Sequence, residues 1–175
     1  ENFLNKNEDF HGKKKVIQYL IDRNIANYKL KEGCEKANFI SKDIRDSYLE
    51  KFKIYCLIFN NKKNQAQLLF DILKEQGLSD KFFNNKINFL LGISNKNDNK
   101  VKEDNLLNFY LSSITNTDFK YEPNKKTKPI IWEYLNSANL ISLENIENKK
   151  KIKNLEIAAN ENTFNKLKIF EIYTK

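Results

Sequence analysis

Methionine is absent from this chain of 175 residues, and histidine (one), tryptophan (one), cysteine (two), proline (two), arginine (two) and glycine (four) are scarce. Each scarcity removes a class of function. His11 stands beside Gly12 and a triple lysine, with neither the orienting partner nor the nucleophile that a catalytic imidazole needs, so it reads as a surface residue. With that single histidine, and with Cys34 and Cys56 22 residues apart, there is no zinc-ligand spacing. Cys56 falls on an apolar helical stripe, where a free thiol packs as a small hydrophobe; a disulfide to Cys34 is the alternative. Gly12, Gly33, Gly77 and Gly92 are isolated, so there is no glycine-rich phosphate loop and no cofactor is expected. No apolar run approaches the roughly 20 residues that cross a bilayer. A chain starting at Glu1 without methionine reads as a processed or truncated piece, whose targeting segment would be out of view. The expectation is a soluble protein, cytoplasmic by preference, with a processed exported form as the alternative.

Charge is the next question. The net charge of +8 suggests nucleic acid, yet 29 of the 31 basic residues are lysine and only Arg23 and Arg45 supply the planar fork that recognises phosphate and bases. Lys, Asn, Ile, Phe and Tyr together make 96 residues, and all five have A/T-rich codons. Base composition alone therefore explains a lysine coat. The charge is also spread: residues 1–90 carry 17 basic and 12 acidic groups, residues 91–175 carry 14 and 11.

What is plentiful is apolar residues at helical spacing. Tyr48, Leu49, Phe52, Tyr55, Cys56 and Phe59 share one helical face, widened by Ile54, Leu57 and Ile58. After the polar break 60–64, Ala66, Leu69, Phe70 and Leu73 form a second stripe, which Gly77-Leu78 closes as a left-handed cap with its hydrophobic contact. Ser79 or Asp80 caps a third helix carrying Phe82, Phe83, Ile87, Leu90 and Leu91, ending at Gly92-Ile93. Gly33-Cys34 repeats the stop signal. Helices are further predicted from Lys13, near 101–115, from Pro129 through Ala138, from a Ser142 cap through Ala159, and over Phe164 to Tyr173, with a short turn at 37–40. No period-two run is long enough for a strand. The fold class predicted is all-α: antiparallel helices stacked as a short α-solenoid. Residues 1–12 read as a polar arm and 13–175 as one helical domain, with a sub-boundary at the Pro123- and lysine-containing linker 116–128.

On those stripes, residues 47–77 resemble a tetratricopeptide-type unit, with Ala66 and Phe70 at the small and aromatic positions of its second helix. Ile54 and Leu73 replace residues that are usually small. The segment is also similar to helical regions of uncharacterised bacterial proteins. The resemblance implies a helical-repeat scaffold and no activity.

Three further groups bear on chemistry. Asp43, Asp46 and Glu50 share a face, but acids at a helix start complement its dipole and read as structural. Lys13-Lys14-Lys15, Lys125-Lys126-Lys128 and the run Lys149, Lys150, Lys151 and Lys153 would track a phosphate backbone if they converged. Trp132, off the main stripe of its helix, with Tyr134 and Tyr121, is the candidate partner contact, because interface hot spots favour such aromatics. The function expected is a non-catalytic scaffold for a protein or peptide partner. The alternative is an electrostatic nucleic-acid binder using Lys149, Lys150 and Lys153.

Overall fold

The computed structural model describes residues 4, 6, 7, 10–40, 44–96, 98–142 and 148–174. Among them are nine α-helices and no strand: α1 (Lys13–Ala26), α2 (Leu30–Lys36), α3 (Ser47–Phe59), α4 (Lys63–Glu75), α5 (Lys81–Leu91), α6 (Leu106–Ile114), α7 (Pro129–Ser137), α8 (Lys149–Asn160) and α9 (Lys166–Tyr173), with a 3-10 turn at Ala37–Phe39. The all-α class holds. Phe3 of the expected arm and Asp43 of the acidic group lie outside the described residues.

Asparagine explains how this glycine-poor chain ends its helices. After α3, the amide of Asn61 donates to the Ile58 carbonyl and that of Lys62 to Leu57, with Asn61 at φ 59°. This is the paired closure that needs a left-handed residue just past the helix. Asn139 after α7 and Asn162 after α8 repeat it, as Gly77 does after α4. Asn tolerates that conformation because its short polar side chain bonds locally. Asn also opens helices: the side chains of Asn105, Asn148 and Asn165 accept amide hydrogens at the starts of α6, α8 and α9, and Asp46 and Asp80 do so for α3 and α5.

α6 is buried from Leu106 to Ser113, on every face, which places it at the centre of the fold. Its hydroxyls are satisfied locally: Ser112 donates to the Asn108 carbonyl at 2.8 Å and Thr115 to that of Leu111 at 2.7 Å. α1 inserts Ile17, Ile21 and Ile25 into the same core and packs against α2, α6 and α7; Arg23 binds Glu133 of α7 at 2.5 Å. α3 and α4 pack on each other, with Ala66, Phe70 and Leu73 fully or almost fully buried and Phe70 meeting Phe83 of α5 edge-on at 6.0 Å. Leu4, within the expected arm, is also in the core.

Four local expectations change. Gly33 does not stop a helix; it lies inside α2, where an added Cβ would come within 3.2 Å of Asn24 Cβ and 3.5 Å of the Phe52 ring. Its missing side chain lets α2 lie close against α1 and α3. Cys34 and Cys56 are joined in a disulfide, Cα to Cα 5.3 Å, so Cys56 is not a free thiol. α8 is capped by Asn148 at 3.0 Å from the Lys150 amide, not by Ser142, because the Asn side chain stands directly before the first turn. On α9 the stripe Leu167, Phe170 and Tyr173 is exposed and Ile172 is buried, since the short helix turns its other face inward.

Candidate functional site

α7 positions the site. Pro129 occupies its first turn, where a missing amide costs nothing, and the helix then carries Ile131, Trp132, Tyr134 and Leu135, all buried. Trp132 and Tyr134 are two residues apart, about 200° around a helix of 3.6 residues per turn. They therefore point to opposite sides. Tyr134 enters the core, its hydroxyl 2.6 Å from Ser113 Oγ and its ring edge-on to Phe109 and Tyr110 at 6.0 and 5.8 Å. Burial pushes its hydroxyl well above the usual tyrosine range. At 1 % exposure it lies in the core and does not line the cleft that Trp132 lines.

Trp132 faces the other way, into a cleft of about 570 Å³. The segment 119–124 forms one wall. Phe119 and Tyr121 alternate onto the same side, stacked on each other at 6.4 Å, and both meet Phe109 edge-on, at 5.8 and 4.8 Å. The expected linker is thus a packed wall. Tyr121 donates to Glu103 Oε2 at 2.7 Å and lies 3.0 Å from Thr127 Oγ1. Partial burial, with the adjacent Glu103 carboxylate, pushes its hydroxyl up to about 12.

The stretch Leu140, Ile141 and Ser142 and helix α8 complete the cleft, α8 through Lys150, Lys151, Asn154 and Leu155. α8 packs most firmly on α9. A second cavity of about 200 Å³ shares Asn124, Trp132 and Asn154 with the first and is also lined by Lys125, Thr127, Ile157 and Glu161. The main volume lies in the range of small-ligand and side-chain pockets, roughly 300–1,000 Å³.

The three lysine groups separate. Lys150 and Lys151 border the main cleft and Lys125 the smaller cavity, whereas Lys13, Lys14 and Lys15 open α1 and line neither. Lys149 and Lys153 are exposed on α8 outside the cleft lining. The Lys128 ammonium donates to the Asp104 carbonyl.

Other polar groups serve the fold. Asp46 Oδ1 accepts the Tyr48 and Leu49 amides at 3.0 and 3.1 Å, and Glu50 is half-buried, with burial raising its carboxyl. A second cleft of about 270 Å³ is lined by the cap residues Asp46 and Asn105 and by Lys51, which pairs with Asp80 at 2.5 Å. His11 is exposed in the turn before α1. Among the described residues no group of three or more His, Cys, Asp or Glu side chains could hold a metal, and no helix is long and apolar enough to cross a membrane.

No family model matches this chain, and no curated protein or solved structure matches it significantly.

Proposed function

We propose that this protein is a non-catalytic helical scaffold that binds a protein or peptide partner at the Trp132 cleft. One observation carries the reading: the single tryptophan lines two neighbouring cavities, between an aromatic wall and a lysine-bearing helix. Tryptophan is among the residues enriched as binding anchors in desolvated pockets.

The repeat-like reading is carried by α3 and α4, two helices of 13 residues joined by the break Asn60 to Lys62, with small Ala66 at their contact. We take them as an antiparallel pair of the kind that helical repeats stack. In a strict stack each unit touches only its neighbours. α1 instead meets α6 and α7, so we assign binding to a side cleft and not to a long groove. The Cys34–Cys56 disulfide favours an oxidising compartment and thus the exported form.

A second reading, nucleic-acid binding, draws on Lys150 and Lys151 at the cleft and Lys125 at the neighbouring cavity. A photo-crosslinking residue at position 150, compared with one at exposed Lys62, tests the first reading in native-host extract. Discrete protein adducts from position 150 alone support it. Adducts with nucleic acid, or equal labelling from both positions, count against it.

A further inference from the structure

Resting on the partner-binding reading above, we infer that the Trp132 cleft takes an acidic peptide segment, one apolar side chain against Trp132 with Asp or Glu carboxylates beside it. Three features of the lining point to this chemistry.

The first is charge. Among the described residues of the lining, Lys120 on one wall and Lys150 on the other face the same cavity, with one glutamate, Glu122. Lys120 and Lys150 are exposed at its mouth. Carboxylates flanking the anchored residue would meet lysines from both sides.

The second is the direction of the hydrogen-bonding groups. Asn124 Oδ1 accepts the Lys126 amide at 2.9 Å, and Asn148 Oδ1 accepts those of Lys150 and Lys151 at 3.0 and 3.3 Å. Each oxygen is committed to its own backbone, so each amide has N–H donors left to offer a ligand. Donors together with lysines suit a ligand rich in acceptors, which carboxylates and peptide carbonyls supply.

The third is the floor, formed by Trp132, Leu140, Ile141 and Leu155. It gives an apolar side chain a place to leave water, which polar contacts at a wet rim do not supply.

The same features disfavour a nucleic-acid strand. Phe119 and Tyr121 are stacked on each other, so they offer no open platform for successive bases. Among its described residues the lining holds no arginine, whose planar fork suits phosphate best.

The test is selection of phage-displayed random dodecapeptides on the immobilised intact protein, followed by titration of the enriched peptides against Trp132 fluorescence. Enriched sequences should carry Asp or Glu beside an aromatic or aliphatic residue and should shift the emission. Their affinity should fall as salt is raised, and Lys150→Gln or Lys120→Gln should each weaken it roughly two- to fivefold. Lys62→Gln should leave it unchanged. Enriched peptides that are neutral or basic, or whose binding ignores salt and Lys150, overturn the acidic-segment inference while the scaffold reading stands. No enrichment overturns both. An oligouridylate that binds more tightly than any selected peptide and depends on Lys150 overturns the inference in favour of nucleic acid.

Discussion

Trp132 and Tyr134 leave the same helix in opposite directions, one into a cleft and the other into the core. Substitutions at the two positions should therefore separate binding from stability. Tyr134→Phe removes the hydroxyl bonded to Ser113 and should cost about 0.5–1.5 kcal/mol in urea denaturation, with partner affinity unchanged. Trp132→Phe should weaken binding of a labelled partner peptide, read by anisotropy, at least tenfold. Equal effects of both variants on binding would mean that the cleft is not the contact surface.

The disulfide closes a loop with a sequence separation of 22, tying α2 to α3. Chain-entropy reasoning assigns about 3 kcal/mol to a loop of this size. Chemical denaturation with and without reductant should show a loss of that order, and Cys34→Ala/Cys56→Ala should match the reduced protein. Free-thiol titration of the unfolded, unreduced protein should find none. Two free thiols would show that the bridge does not form.

Phe70 is fully buried between α4 and α5. Phe70→Ala should cost about 3–5 kcal/mol through the cavity it leaves. Lys62→Ala and Lys63→Ala, both exposed at the α3–α4 break, should stay within about 0.5 kcal/mol of the parent. Thermal and urea midpoints check all three.

Acid should loosen a surface chain of charges that runs Lys51, Asp80, Lys102 and Asp104, with contacts of 2.5, 4.0 and 3.2 Å. Partial burial pushes both carboxyls up. The Lys51 hydrogen bond at Asp80, and those of Asn108 and Lys102 at Asp104, outweigh it and hold both below the ordinary value. Because the folded values are depressed, their stabilisation is present above about pH 4 and is lost as pH falls through the folded values. Both groups are largely exposed, so each contributes less than about 1 kcal/mol. Asp80→Asn keeps the helix cap and should flatten the stability-against-pH slope below about pH 4 relative to the parent. Parallel slopes would show that the pairing is not felt.

The helices legible in the sequence were those with dense stripes: α3, α4 and α5 follow directly from Tyr48 to Leu91. α2 was hidden because its interior contains Gly33, which sequence reasoning takes as a stop and packing uses as a close contact. The asparagine closures at 61, 139 and 162 are harder to read than a glycine stop, because asparagine is abundant throughout this chain and most of its copies lie elsewhere. The cysteine pairing depends on how α2 crosses α3, which no spacing encodes. Within the site, Trp132 and Tyr121 were identifiable as aromatics near a lysine cluster, but Tyr134 shares their neighbourhood and only the helix rotation sets it apart. The wall at 119–123 reads as a linker because its alternation, Phe119, Tyr121 and Pro123, is too short to stand out among lysines.

The central claim is that a partner occupies the cleft beside Trp132, and hydrogen exchange with mass spectrometry tests it most directly. The intact protein is compared alone and with a peptide selected on it. Slower exchange confined to residues 119–124, 131–135 and 149–155, with α3, α4 and α5 unchanged, is the predicted result. Protection that falls on α3 and α4, or on the Lys13 end of α1, and leaves those segments unchanged would contradict it.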